Sequence, residues 1–282
     1  PLVRIVAIIL VGLVLSISGY FSYRALKYEK LITKNEILEV TLPDGSAVNN
    51  VGNVLVFGEL NIDQDYSFGE GNNPLKSTIT LGPDAKINVK DGATLTLIDT
   101  EVSGCFEMWN AITVEDGGEL VVLQGRNRSL ITGGVSGVVV HDGGKATLEG
   151  VDFEANKVSV STLDDGLEKA PEINVFGCNF SFGEGPDVER IIPGPFLGLP
   201  FLGEVPRAGI ELFDVRDGFL LARGTETAVR NNFENLENGI VFNNSIGYVT
   251  SASFNWMKST ENEESGNGVL IKQDVWYRNR NY

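Results

Sequence analysis

The chain has 282 residues and a formal net charge of −16, with 22 Lys and Arg residues against 38 Asp and Glu residues. Such an acidic protein repels nucleic acid and anionic glycans, so the composition argues against binding either of them. The 33 glycines and a hydrophobic fraction of 42% exclude both a collagen-like repeat and a disordered chain.

The N-terminal segment is strongly apolar. Residues 5–23 are all uncharged and lie between Arg4 and Arg24. As a helix this run would be about 28 Å long, close to the hydrocarbon thickness of a bilayer. The amphipathic stretch that follows can continue the helix, so we predict a hydrophobic N-terminal α-helix over residues 1–38. It serves as a membrane anchor, as a helix packed in a filament core, or as a secretory signal peptide that is normally removed.

The first turns of this helix resemble those of a processed type IV pilin. The resemblance rests on Pro1-Leu-Val-Arg-Ile-Val-Ala-Ile-Ile-Leu-Val-Gly and on the region from Tyr20 to Tyr23. Pilins carry a glutamate near the fifth position, and the chain departs from that pattern with Arg4 and Ile5. The resemblance implies assembly through a shared helical core, with an interface formed by Ile5, Ile9, Leu13 and Leu15.

A phrase with alternating apolar residues around an Asp-Gly pair occurs three times in the body of the chain. The copies begin at Ile87, Ile112 and Val138, and their Asp-Gly pairs are 25 and 26 residues apart. One such unit cannot bury its apolar face alone, whereas a stack of them can. The period predicts a mainly β protein, a right-handed parallel β-helix, in which each repeat forms one coil.

A second phrase extends this periodicity towards the C-terminus. Its glycines, Gly209, Gly239 and Gly268, are 30 and 29 residues apart, and each is followed by Ile or Val. We expect Phe side chains to fill the interior, and Asn side chains to occupy left-handed corners and to form hydrogen-bonded ladders. The predicted β-helix domain covers residues 39–282 with about nine coils.

The stretch Cys105-Phe-Glu-Met-Trp109-Asn-Ala-Ile112-Thr-Val114-Glu-Asp-Gly-Gly resembles the repeat of secreted β-helix surface proteins from Bacteroidetes-type bacteria. In those proteins a Trp precedes a Gly-Ile-x-Val strand and a Gly-Gly turn. The resemblance covers about residues 78–275 and implies a bacterial protein at the cell surface or outside the cell. It indicates the fold far more specifically than the function.

Residues 183–206 interrupt the repeats. This protruding loop contains five of the ten prolines of the chain together with seven large apolar residues. Exposure of so apolar a loop to water is unfavourable. The loop either folds back over the flank of the solenoid or docks on a neighbouring subunit. For the second alternative the predicted assembly interface consists of Phe196, Leu197, Leu199, Phe201 and Leu202.

The two cysteines, Cys105 and Cys178, lie about three coils apart. Coils are spaced by about 4.8 Å, so an axial offset near 14 Å would be too long for a disulfide. We therefore predict two small buried residues. A Cys-His metal site is disfavoured because His141 is the one histidine of the chain, and we expect His141 to be an exposed turn residue.

Candidate carboxylate sites are Asp164 with Asp165, Asp214 with Arg216 and Asp217, and the column of Asp91, Asp116 and Asp142. Turn chemistry accounts for the column, since Asp-Gly is a common turn sequence. The sequence contains no polygalacturonase-like Asn-Thr-Asp or Gly-His-Gly phrase. We predict no catalytic residues and no cofactor, with calcium as the one ligand that the acidic composition leaves open.

Together these features predict a non-enzymatic structural subunit of an extracellular filament or pilus-like appendage. Its partners would be copies of itself, and residues 5–23 would contact the membrane at least before assembly. The alternative is a membrane-anchored adhesin or glycan-binding β-helix protein, and a polysaccharide lyase or hydrolase is the third reading.

Overall fold

The described strands of the chain form three parallel sheets. The computed structural model describes residues 30–32, 36–37, 49–50, 53–69, 77–105, 108–163, 169–182, 206–216, 218–222, 230–257 and 265–272. In this part of the chain every paired strand is parallel to its neighbours, and successive strands belong in turn to sheets A, B and C. Each strand therefore pairs with the strands three positions before and after it.

Sheet A contains nine of the described strands, β1 (Lys30–Ile32), β4 (Asn53–Val56), β7 (Ser77–Leu81), β10 (Thr100–Gly104), β13 (Ser129–Thr132), β16 (Val151–Glu154), β19 (Asn179–Ser181), β22 (Asn231–Glu234) and β25 (Ala252–Asn255). Sheet B contains nine, β2 (Glu36–Ile37), β5 (Glu59–Ile62), β8 (Lys86–Val89), β11 (Ile112–Val114), β14 (Ser136–His141), β17 (Val158–Leu163), β20 (Ala208–Phe213), β23 (Asn238–Asn243) and β26 (Asn267–Lys272). Sheet C contains eight, β3 (Asn49–Asn50), β6 (Tyr66–Phe68), β9 (Thr94–Ile98), β12 (Glu119–Leu123), β15 (Lys145–Glu149), β18 (Glu172–Phe176), β21 (Phe219–Ala222) and β24 (Tyr248–Val249). This arrangement is consistent with a parallel β-helix and confirms the prediction of a mainly β, parallel stack.

The repeats pair in the register that their spacing predicts. Ile112 lies between Ile87 and Val138 in sheet B. In the second phrase Ile240 lies between Ile210 and Val269. Equivalent positions of successive repeats therefore form continuous columns through the stack.

The start of the stack differs from the prediction. Lys30–Ile32 and Glu36–Ile37 are strands that pair with β4 and β5, whereas the sequence predicted a helix to about residue 38. The open edges of β4 and β5 offer backbone partners to this stretch, and such tertiary pairing overrides helix propensity. The helix predicted for residues 1–29 lies outside the described residues.

The interior is filled by side chains that alternate along each strand. In sheet A the rings of Phe153 and Phe180 stack at 5.0 Å, those of Phe180 and Phe233 at 4.6 Å, and those of Phe233 and Phe254 at 5.0 Å. This ladder confirms that Phe fills the interior. It also explains a glycine of the second phrase, because a Cβ atom on Gly209 would lie 2.6 Å from Cδ1 of Phe233.

The corners between the sheets use residues that tolerate a left-handed backbone. Asn235 (φ 56°) and Asn244 (φ 47°) are left-handed, as the sequence predicted for Asn, and so is Asp99 (φ 49°). The carboxylate of Asp99 accepts hydrogen bonds from the backbone N–H groups of Arg126 (3.1 Å) and Asn127 (2.7 Å). It thereby ties one corner to the next coil.

Candidate functional site

The predicted assembly interface cannot be placed. Its nine residues (Ile5, Ile9, Leu13, Leu15, Phe196, Leu197, Leu199, Phe201 and Leu202) all lie outside the described residues. The same holds for Asp164, Asp165 and Asp217, which were candidates for a carboxylate site. The candidate functional surfaces below are therefore built from the solenoid body.

The Asp-Gly column lies in the turns between sheets B and C. Asp91 and Asp116 are exposed, whereas Asp142 is buried. The Nζ atom of Lys169 lies 3.6 Å from Oδ1 of Asp116. Across the described part of the chain, no group of three or more His, Cys, Asp and Glu residues is arranged to hold a metal ion.

The other acidic candidate lies at a corner. Asp214 has a left-handed backbone (φ 54°) and accepts a hydrogen bond from the side-chain amide of Asn244 in the next coil. Arg216, two residues further on, is exposed. The hydrogen bond gives Asp214 a role in joining successive corners.

The prediction for His141 was wrong. His141 is the last residue of β14, where it pairs with Leu163 of β17, and its side chain is half-buried rather than exposed in a turn. The pairing register explains the difference, because β14 runs one residue further than β11 before the Asp-Gly turn begins.

Both cysteines are free and buried, as predicted. Cys105 follows β10 and Cys178 precedes β19, so three strand-to-strand steps of sheet A separate them. Burial raises the pKa of the Cys178 thiol to about 12. The thiol donates a hydrogen bond to the carbonyl oxygen of Leu148 at 3.4 Å, so it is a structural group and a poor nucleophile at neutral pH.

Opposite charges pair between coils on the outer surface. In sheet C the Nζ atom of Lys145 lies 3.8 Å from Oε1 of Glu119 and 3.5 Å from Oε1 of Glu172. In sheet B the Nζ atom of Lys86 lies 3.0 Å from Oε1 of Glu59. Each of these pairs joins residues that are direct partners in the sheet, so the charges support the observed register of neighbouring strands.

Amide ladders also join neighbouring coils, as the sequence predicted. The Nδ2 atom of Asn255 donates to Oδ1 of Asn232 (2.8 Å), and that of Asn88 donates to Oδ1 of Asn61 (2.8 Å). The buried Asn156 instead bonds the backbone, with Oδ1 accepting from Gly134 N–H and Nδ2 donating to Ile131 C=O, both at 2.8 Å. These amides stabilise the stack itself.

Apolar side chains are exposed at the C-terminal end of the stack. Val269 (41% exposed) and Ile271 (63%) of β26 occupy the interior columns in which Ile240 (0%) and Phe242 (5%) of β23 are buried. Ile246, Tyr248 and Trp256 are exposed in the same terminal coil. Sequence reasoning missed this surface, because periodicity marks these residues as core and does not show that no described strand follows β26.

Within the described ranges, no helix is long and apolar enough to cross a membrane. Comparison with family models, with curated proteins and with solved structures finds no match for this chain.

Proposed function

We propose that this chain is a non-enzymatic structural subunit of an extracellular, pilus-like surface filament of a bacterium. The N-terminal hydrophobic helix packs against the same helix in other copies, and a right-handed β-helix faces outward. The right hand is the one that connections between parallel strands nearly always take. The resemblance of the repeat to that of secreted β-helix surface proteins from Bacteroidetes-type bacteria supports a location of the body outside the cell.

The observation that carries the proposal is the apolar surface around β26. Val269 and Ile271 occupy interior columns of sheet B and are nevertheless exposed by 41% and 63%. Exposed apolar surface marks a place where further protein packs, whether later residues of the same chain or another copy.

The rest of the body is suited to bearing load rather than to opening and closing. Interior positions from Val54 to Phe233 are buried in one continuous core, and outward charges bond to each other between coils. Such a stack derives its stability from contacts between neighbouring coils. This is the behaviour that a filament subunit requires.

The sequence of the N-terminal segment supports assembly through a helix. Ile5, Ile9 and Leu13 recur every four residues, so they would share one stripe of a helix. Leu15 adds to the apolar surface on a neighbouring face. A stripe of this kind can pack against the same stripe in another copy.

The alternative is a membrane-anchored adhesin or glycan-binding protein. Polar residues recur along two columns of sheet A, one with Asp152, Asn179 and Asn232 and the other with Glu154, Ser181 and Glu234. A glycan-binding face needs a row of exposed aromatic rings at the coil spacing. Trp109 is fully buried and Trp256 is half exposed, so these two indoles do not form one.

Replacing residues 5–23 by a leucine segment of equal length separates the two functions. The replacement keeps the hydrophobicity that an anchor needs and removes the shaped surface that helix packing needs. We expect the altered chain to stay in the membrane fraction and to disappear from filaments sheared from the cells. Unchanged incorporation into filaments would contradict the proposal, and so would a native chain that never leaves the membrane fraction.

A further inference from the structure

The Asp-Gly turns place a chemically labile pair of residues on the surface of the stack. Asp91 with Gly92 and Asp116 with Gly117 are all exposed, and both glycines have the left-handed backbone (φ +73° and +74°) that glycine adopts readily. In such a pair the carboxyl group and the following backbone nitrogen can react, because glycine has no side chain that hinders their approach. Water reaches both turns, so burial does not prevent this reaction.

The reaction converts aspartate into isoaspartate. The glycine nitrogen attacks Cγ of the aspartic acid, so that a new N–Cγ bond replaces the N–H bond and the C–OH bond, and one water molecule leaves. A second water molecule then opens the succinimide ring, either back to aspartate or to isoaspartate, in which the main chain runs through Cβ and Cγ. An isoaspartate would therefore lengthen the turn that joins sheets B and C.

The nucleophile of this reaction is held by the next coil. The backbone N–H of Gly92 donates a hydrogen bond to the carbonyl oxygen of Gly117 (3.1 Å), and the N–H of Gly117 donates to the carbonyl oxygen of Gly143 (3.2 Å). These are ordinary distances for backbone hydrogen bonds. The nitrogen must give up this bond before it can attack the carboxyl group, and the loss raises the barrier.

The carboxylate is directed towards the same neighbour. A Cβ atom on Gly117 would clash with Oδ1 of Asp91, and one on Gly143 would clash with Oδ1 of Asp116. The carboxylate of each pair therefore lies against the glycine that accepts the hydrogen bond from the same pair. Contacts to a single residue of the next coil thus restrain both reacting groups.

We propose that these contacts protect the Asp-Gly turns from isoaspartate formation. The protection comes from the stacking of one coil on the next, since neither pair is shielded from water. It gives the Asp-Gly column a role beyond the formation of the turns, namely to keep the length of the main chain constant where successive coils pair. This inference does not depend on the proposed function.

The turn after β5 offers a matched control. It also joins sheet B to sheet C, and its residues Asp63 and Gln64 are exposed, as Asp91 and Gly92 are in the turn after β8. Among the described residues, the backbone N–H of Gln64 makes no hydrogen bond to the next coil. The substitution Gln64→Gly therefore creates an exposed Asp-Gly pair at the same corner of the stack without the protecting bond.

Ageing of the full chain with Gln64→Gly tests the proposal within one molecule. The folded protein is incubated at neutral pH and physiological temperature, and mass spectrometry of its peptides measures isoaspartate at positions 63, 91 and 116. Loss of one hydrogen bond corresponds to a factor of about ten in rate. We expect isoaspartate to accumulate about tenfold faster at Asp63 than at Asp91 or Asp116. Equal rates at the three positions would overturn the proposal.

The same measurement in urea separates the stack from the local sequence. Unfolding removes the contacts between coils, so isoaspartate at Asp91 and Asp116 should then form as fast as at Asp63. Asp63 reacting faster in urea as well would assign the difference to its flanking residues and overturn the proposal.

The unsubstituted chain keeps the test decisive if Gln64→Gly does not fold. Isoaspartate at Asp91 and Asp116 should form about tenfold faster in urea than in the folded chain, in which the buried Cys178 stays unlabelled by a maleimide and so reports an intact stack. A rate that does not change on unfolding would contradict protection by the neighbouring coil.

Discussion

The carboxylate of Asp91 occupies the space that a Cβ atom on Gly117 would fill in the next coil. Asp116 stands in the same relationship to Gly143. The Asp-Gly pair therefore shapes the turn and also makes a contact between coils, because the Asp of one repeat packs over the Gly of the next. Turn chemistry explains why Gly follows Asp, and this contact adds a reason for the repeat to keep its register.

Gly117→Ala should destabilise the chain more than Gly92→Ala. Both glycines are left-handed (φ +74° and +73°), so both substitutions carry a backbone cost of about 1–2 kcal/mol. The new methyl group at position 117 also meets Asp91, whereas nothing lies within 4 Å of it at position 92. Overpacking of this kind costs about 1–3 kcal/mol more. Urea unfolding of the two variants measures the difference.

The double variant Asp91→Ala with Gly117→Ala checks the contact itself. Gly117→Ala should lose more unfolding free energy than Gly92→Ala, and removing the carboxylate of Asp91 should restore this extra loss. Equal unfolding free energies for Gly92→Ala and Gly117→Ala would show that the carboxylate moves aside at no cost.

Phe180→Ala should be among the most damaging single substitutions. Phe180 is fully buried and its ring stacks on both Phe153 and Phe233. Truncating a buried Phe costs about 3–5 kcal/mol. Phe254→Ala is the matched control, since Phe254 ends the ladder and is half-buried. Chemical denaturation should give Phe180→Ala a clearly lower free energy of unfolding than Phe254→Ala. The reverse order would show that the ladder does not stabilise the middle of the stack.

The buried thiol of Cys178 predicts a loss of stability at high pH. Its pKa is raised from 9.0 to about 12 by burial, so between these values the unfolded chain releases a proton that the folded chain keeps. The unfolded state then binds fewer protons, and stability falls as the pH rises above about 9. Cys178→Ala should show a shallower fall when unfolding is followed from pH 8 to pH 11. Parallel curves would mean that this thiol does not contribute.

Lys145→Glu should lower stability in a salt-dependent way. Lys145 lies between Glu119 and Glu172, and the substitution places three carboxylates side by side. Because the three side chains are exposed by 42%, 37% and 51%, the lost attraction is worth at most about 1 kcal/mol. The difference in melting temperature between the variant and the parent chain should be smaller at high salt than at low salt. A difference that salt does not reduce would point to packing rather than charge.

The sequence was sufficient to predict the mainly β, parallel stack, because the spacing of the repeats reflects the pairing of the strands directly. Ile87, Ile112 and Val138 pair as their spacing requires, and the Phe and Asn residues fill the positions that their chemistry favours. The predicted end of the helix was wrong. Lys30–Ile32 forms a strand because it pairs with β4, which lies more than twenty residues further along the chain, and local sequence patterns do not show such pairing.

Surfaces were harder to predict than the core. Ile240 and Val269 are partners in one interior column of sheet B, yet Ile240 is fully buried and Val269 is 41% exposed. Periodicity marks both residues as core and contains no information about what packs next to β26. The interface predicted from Phe196 and its neighbours stays a prediction, since it lies outside the described residues.

The most direct measurement of the proposed function is negative-stain microscopy of native material that is sheared gently from cells without detergent. The account predicts regular filaments that contain this chain, as shown by an antibody against the solenoid or by mass spectrometry of the purified fibres. A chain that stays with the membranes, and is released only by detergent as single particles, would contradict it.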